Sequence, residues 1–581
     1  MRIRRFVATV CLVFFLTSCG TATTNITKEN DTFTEFTETI FRARSCSDSL
    51  TLNYTLTNPE DYGIASLPKG FPSFSYEDLT KDALADENLL ASLKKFDKKN
   101  LTFDQQVLYD TLQDTLESDI QGQNYTAFSE ALGPTTGIQA QLPVLLAEFR
   151  MEDKKDLSQY FLLLKTVPDY FDSLLSLEEK KSRLRTLPCR SSLQNIIAQC
   201  QTFLDDSGAS ILIKPFEKKL GGCSFLSEKE KQAVIAQNKS YVEKYIIPAY
   251  QSLTDGLTIL LPMAGENGSL LEYPNGRQYY PYLVKQTTGS SRPLSELQTL
   301  MTERLNRSHD TLIAYAKKNP TLFTSCQRYV TKYSSPDVIL ATLQRRMTED
   351  FPLCDNTHYE VKYVDEALEN YLSPAFYLTP PVDDSDNNII YINNSKKYDR
   401  SSLFNTLAHE GYPGHLYQTC YMHNKRLPLL RYSLDYGGYT EGWATYTEIY
   451  SYKYTGITRD EVGILRNNMI ATLCLYGLCD IGVHYEGWDE ESLQSFLNQY
   501  GSWSSGTASS VYSAVIDEPA SYLKYTVGYL EITLLKDKMK NELGSEYTEK
   551  IFHTYLLDMG PTSFDILNRY IPLWNKQNSC K

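Results

Sequence analysis

The run His409-Glu410-Gly411-Tyr412-Pro413-Gly414-His415 places two imidazoles and a carboxylate within seven residues. Neutral imidazole nitrogens and carboxylate oxygens are donors that zinc accepts, and a catalytic zinc site takes three protein ligands plus a water. A glutamate next to such a site can take a proton from the attacking water. The familiar arrangement is H-E-x-x-H, with the histidines one turn apart on a single helix face. Here the histidines are six residues apart, which on a regular helix turns the second ring about 240° away. Pro413 lacks the N–H that would bond to the carbonyl of His409, and Gly414 permits unusual dihedrals. A bulge or loop at Pro413-Gly414 is therefore expected to absorb the two extra residues. Three of the chain's seven histidines lie between 409 and 423, and a plain structural helix has little reason to break there.

A third donor is expected from a neighbouring helix. The segment from Tyr439 to Glu448, opened by Gly437-Gly438, carries Glu441 and Glu448. Seven residues apart, they share a helix face. One can bind the metal and the other can hydrogen-bond a ligand histidine; composition leaves open which does which.

The motif H-E-G-Y-P-G-H followed by E-G-W-A resembles the bacterial family known as Domain of Unknown Function 885, which is itself similar to the gluzincin metallopeptidases. The resemblance covers residues 50–575. It implies zinc held by His409, His415 and Glu441, since Glu441 opens the E-G-W-A match. Glu410 is then the general base and Glu448 the supporting carboxylate. Further stretches resembling the family are Asp480 to His484, Tyr525 to Leu530, Ala375-Phe376-Tyr377 and Ile390-Tyr391-Ile392-Asn393. Four residues before Tyr525 the family usually has glutamine; this chain has Ser521, a departure that bears on substrate contacts more than on the metal. A tetrahedral oxyanion needs donors besides the metal, and His484 and Tyr525 are the candidates. Tyr391 and Asn393 are expected to contact substrate, Asn393 by holding an extended peptide through strand addition.

The elements that must position these groups read as mainly α: a large multi-helix, peptidase-like fold with a small β-sheet beside a deep active-site cleft. Ser227 and Glu230 have the spacing of a capping box. Ile389 to Ile392 reads as a short strand after the Pro380-Pro381 break. Asp399 is an expected N-cap for the helix of Leu403, Phe404 and Leu407. A Gly, Asn and Pro-rich stretch over 262–276 marks the expected seam between an N-terminal helical region, 51–265, and a catalytic region, 266–581.

Arg2, Arg4 and Arg5 precede the apolar run Phe6 to Leu16. That run is shorter than the ~20 residues a bilayer span needs and fits a secretory signal. It ends in Leu16-Thr17-Ser18-Cys19, which resembles the bacterial lipobox. Residues 1–18 are thus expected to be removed and Cys19 lipidated, anchoring the protein to a membrane. Residues 19–50, rich in threonine at the start, are expected to form a flexible tether. Outside the cytoplasm cysteines can pair; Cys189 with Cys200, Cys326 with Cys354 and Cys474 with Cys479 are the nearest options. The formal net charge of −14 argues against a nucleic-acid partner. These features point to a zinc metallopeptidase that hydrolyses peptides outside the cytoplasm. The alternatives are another metal-dependent amide hydrolase acting on cell-wall peptides and a non-catalytic peptide-binding lipoprotein. The His-Glu pair speaks against the last, because binding alone needs no base.

Overall fold

The computed structural model describes residues 22–578 apart from 206–207, 327–332, 334, 356, 365, 367–368, 370–371, 397 and 399–401. The signal segment, Cys19 and the expected N-cap Asp399 lie outside the described residues. Of the described residues 73% are helical, with one small sheet among them, so the expected mainly α class holds.

The sheet has three strands, β1 (Tyr359–Tyr363), β2 (Ala375–Leu378) and β3 (Asn388–Ile392), in the order β1-β3-β2. The central β3 pairs in parallel with β1 and antiparallel with β2. Alternate side chains of a strand face opposite sides. Ile390 and Ile392 accordingly enter one hydrophobic core, and Ile389 and Tyr391 pack into another. The first core gathers most apolar residues of 33–128 and 270–574, the second most of 131–264. On its N-terminal side the packing therefore divides near residue 130, not at 51. The predicted capping box forms, with Ser227 and Glu230 closing the start of the helix Glu228–Tyr241.

The tether is a correction. Residues 22–45 form helix α1 (Ala22–Ser45), with Phe33, Phe36, Ile40 and Phe41 buried at helical spacing in the first core. Each such side chain stabilises by about 1.5–3 kcal/mol on burial, which outweighs the modest helix propensity of the threonines. The threonines also satisfy their hydroxyls within the helix: Thr32, Thr37 and Thr39 donate to the carbonyls of Lys28, Phe33 and Glu35. The nine described cysteines are all free, so none of the three pairings open to the sequence is made here.

Five helices build the site: α2 (Leu403–Glu410), α3 (His415–Lys425), α4 (Gly437–Ser451), α5 (Arg459–Ile481) and α6 (Ser521–Leu543). Helix α2 buries Leu403, Phe404, Leu407 and Ala408 and leaves His409 and Glu410 partly open in its last turn. Helix α4 buries Tyr439, Trp443, Tyr446 and Tyr450. Its backbone meets that of α6 directly, since a Cβ on Gly442 would lie 2.6 Å from the Cα of Gly528. That crossing brings the first turns of α6 to the side of α4 that carries Glu441.

Candidate metal centre

The predicted break is present. Helix α2 ends at Glu410, residues 411–414 form a loop with a cis Tyr412–Pro413 bond, and α3 starts at His415. Trp443 Nε1 donates to the carbonyl of Pro413 at 3.0 Å, and Tyr412 Oη donates to the carbonyl of Thr357 at 2.6 Å. A side chain at Gly414 would overlap the carbonyl of His409, so the chain can double back here only with glycine.

The loop brings the rings of His409 and His415 to 4.8 Å between centroids, at 83° to each other. Both Nε2 atoms lie 3.5 Å from Glu441 Oε2. That is beyond a good hydrogen bond. It matches the edge of a tetrahedron around zinc, about 3.4 Å for bonds of 2.0–2.2 Å. On the far side of its ring, His409 Nδ1 lies 3.1 Å from Glu448 Oε2. A carboxylate only accepts, so Nδ1 carries the hydrogen, and in the neutral ring Nε2 keeps its lone pair for a cation. The two glutamates left open by the sequence thus divide their roles, Glu441 facing both rings and Glu448 orienting one.

Glu410 offers a carboxylate oxygen within 4.8 Å of the donor atoms of His409 and His415. Its Oε2 accepts the backbone N–H of Tyr377 at 3.0 Å, which turns this carboxylate toward β2. Both carboxylates thus lie within reach of the two rings, Glu441 facing both Nε2 atoms and Glu410 turned toward β2. The carboxylates also govern the charge of the His409 ring. Burial opposes charging His409, yet Glu441, Glu448 and Glu410 together hold its pKa up at about 10. Glu441 is pushed down against its own burial by His409, His415 and Lys524.

Tyr525, in the first turns of α6, sits beside His409 with ring centroids 6.3 Å apart. Burial, reinforced by Glu441 and Glu410, pushes its phenol pKa up, so the hydroxyl stays neutral and able to donate. The start of α6 is pinned by the buried Asp480 of α5, whose carboxylate accepts the N–H of Ala520 at 3.0 Å and the hydroxyl of Tyr280 at 2.5 Å. Burial raises Asp480 to about 7.

Three expected contacts are corrected. His484 is fully buried: its Nδ1 accepts the N–H of Leu270 at 3.2 Å and its Nε2 donates to the carbonyl of Val515 at 2.9 Å. Both nitrogens are committed and burial lowers the pKa to about 4, so this neutral ring ties the short turn at Leu270 to the helix Ser505–Asp517 and is no oxyanion donor. Asn393 donates to the carbonyls of Glu369 and Leu372 and accepts the N–H of Ser395. It braces a turn, and strand addition on β3 is blocked because β3 is paired on both sides. Tyr391 donates to Glu148 at 2.9 Å and stacks on Phe376. Its hydroxyl therefore serves the second core. The sequence reading missed Lys524, whose Nζ lies 3.7 Å from Glu441 Oε1, and the role of the Tyr377 N–H.

Two consequences are measurable. Replacing Glu448 by Gln lets an amide N–H compete for His409 Nδ1 and disturbs the tautomer; zinc affinity, read by competition with a chelating dye, is expected to fall about 10–100-fold. Replacing His484 by Ala leaves the Leu270 N–H and Val515 carbonyl unpaired. It is expected to lower stability in urea by about 1–3 kcal/mol while zinc affinity stays as in the parent.

Fold and site together describe a mainly α protein in which two histidines at a broken helix face a glutamate of a neighbouring helix, with Glu410 beside them. The chain belongs to the family described as bacterial protein of unknown function (DUF885), which matches it over residues 62–571. It is similar in fold to a crystal structure of a candidate lipoprotein from Colwellia psychrerythraea, with a TM-score of 0.82 at 19% identity over 95% of this chain and 99% of the other. A candidate lipoprotein of unknown function from Shewanella oneidensis is also similar, with a TM-score of 0.63 at 15% identity over 95% of this chain and 100% of the other. No curated protein matches the chain.

Proposed function

We propose that this protein is a zinc-dependent peptidase of the cell envelope, with His409, His415 and Glu441 as metal ligands and Glu410 as general base. The observation that carries the reading is the pair of 3.5 Å separations from the two Nε2 atoms to Glu441 Oε2, next to a carboxylate turned elsewhere by Tyr377. When bound, zinc supplies Lewis acidity that polarises a carbonyl and acidifies a water. Glu410 takes the proton of the attacking water and returns it to the leaving amine. Tyr525 Oη donates to the oxyanion as it forms. The edge of β2 turned away from β3 presents backbone groups beside Glu410, where an extended peptide can align. Glu448 keeps His409 in the right tautomer throughout.

The envelope location rests on the lipobox-like Leu16 to Cys19 and on the two similar structures described as candidate lipoproteins. Helix α1 begins three residues after Cys19 and its Glu29 accepts the N–H of Asp97. A lipid on Cys19 therefore holds the folded body close to the membrane.

The test is to measure metal content and hydrolysis of a peptide library on residues 20–581. About one zinc per chain together with turnover supports the reading. No metal after zinc re-addition sinks the ligand set. Tyr525→Phe removes the proposed oxyanion donor, and kcat is expected to fall about 10²–10³-fold with zinc content unchanged; full activity in that variant removes Tyr525 from the mechanism.

A further inference from the structure

We infer that Lys524 binds the free carboxylate at the C-terminal end of a peptide substrate, so that the site acts on terminal residues and not within long chains. The inference rests on the peptidase reading of the same centre.

Lys524 lies in the first turns of α6, one residue before Tyr525. Its ammonium sits 5.0 Å above the centroid of the Tyr525 ring, on the side of the helix that faces the histidine pair. The Glu441 carboxylate is 3.7 Å away, a charge partner beyond hydrogen-bond length. Among the described residues no acceptor lies within hydrogen-bonding distance of Nζ, which leaves three N–H donors uncommitted. The side chain is 27% exposed, open enough for a ligand to reach. Lys524 is also the lysine or arginine that pairs with the carboxylates of this cluster among the described residues.

The position is not one that helix stability favours. A cation near a helix N-terminus opposes the macrodipole by about 0.3–1 kcal/mol, and α6 has no acidic residue in its first turn to compensate. Glu441 balances the charge from 3.7 Å, but the N–H donors stay unused until an acceptor comes within hydrogen-bond reach. Near the scissile bond a peptide offers neutral amides, except where the chain ends in a carboxylate. That terminal carboxylate lies one residue beyond the bond, a Cα step of about 3.8 Å. Lys524 Nζ stands 3.7 Å from the carboxylate that faces both histidines, on the rim of the same centre. An internal peptide segment brings no carboxylate to these donors at the same place.

The experiment compares matched peptides, one with a free C-terminal carboxylate and one amidated, on the zinc-loaded mature chain. The free peptide is expected to win by roughly 10- to 100-fold in kcat/KM, the scale of a hydrogen bond to a charged group. Lys524→Met is expected to bring that ratio close to one, with the change mainly in KM, and Lys524→Arg to keep most of it. Equal hydrolysis of both peptides by the parent protein, or an undiminished preference in Lys524→Met, overturns the inference. Calorimetric titration of N-acetylphenylalanine and its amide gives a readout without turnover. Carboxylate binding lost in Lys524→Met supports the role of Lys524 even if no peptide is cleaved, a result that would count against the peptidase reading alone. Equal binding of acid and amide to the parent protein overturns the role itself.

Discussion

Glu410→Gln should retain about one zinc per chain and lose about 10²–10⁴-fold in kcat, the span attributed to general acid–base catalysis. Glutamine has nearly the same shape, and its carbonyl oxygen can still accept the Tyr377 N–H that now bonds Glu410 Oε2 at 3.0 Å. The side chain therefore keeps its place while losing the ability to take a proton. Because Glu441 and not Glu410 faces both Nε2 atoms at 3.5 Å, the metal affinity should move little. Metal analysis and steady-state kinetics on the same preparation separate the two effects. A variant that loses zinc would make Glu410 a ligand, and one that keeps full turnover would require another base.

The second large effect is expected at a residue with no functional group. Gly414→Ala puts a methyl into the carbonyl of His409, so the loop between α2 and α3 must open. Displacing His415 from its partners by even an ångström is enough to cost about 10²-fold in rate, and zinc affinity should drop by at least as much as for a lost supporting contact, about 10–100-fold. Thermal melting should shift down as well, since Trp443 loses the Pro413 carbonyl it now bonds at 3.0 Å. Gly221→Ala is the control: a methyl there meets nothing within 4 Å, and neither zinc affinity nor melting should change. Parent-like zinc affinity in Gly414→Ala would mean that the histidine pair does not depend on the tight loop.

Whatever depends on bonds along the chain was legible in the residues alone. Pro413 has no N–H and Gly414 no side chain, so a helix carrying both had to break between His409 and His415, and it does. Seven-residue spacing put Glu441 and Glu448 on one face of α4, and a short β-branched run became the central strand β3. These are local consequences, which no neighbour has to supply. Helix α1 was also written locally, in the spacing of Phe33, Phe36, Ile40 and Phe41, although threonine content masked it. The tertiary structure decided which partner each face meets. Helix phase cannot say that Glu441 reaches both Nε2 atoms while Glu448 takes Nδ1. It cannot say that His484 spends both nitrogens on Leu270 and Val515, or that Asn393 braces a turn. Lys524 and Tyr377 joined the site only because α6 crosses α4 at Gly442 and Gly528 and β2 runs beside α2. The physical reason is range: propensity, capping and helix breaking act within a few residues, whereas a hydrogen-bond partner more than a hundred residues away exists only once the cores have packed.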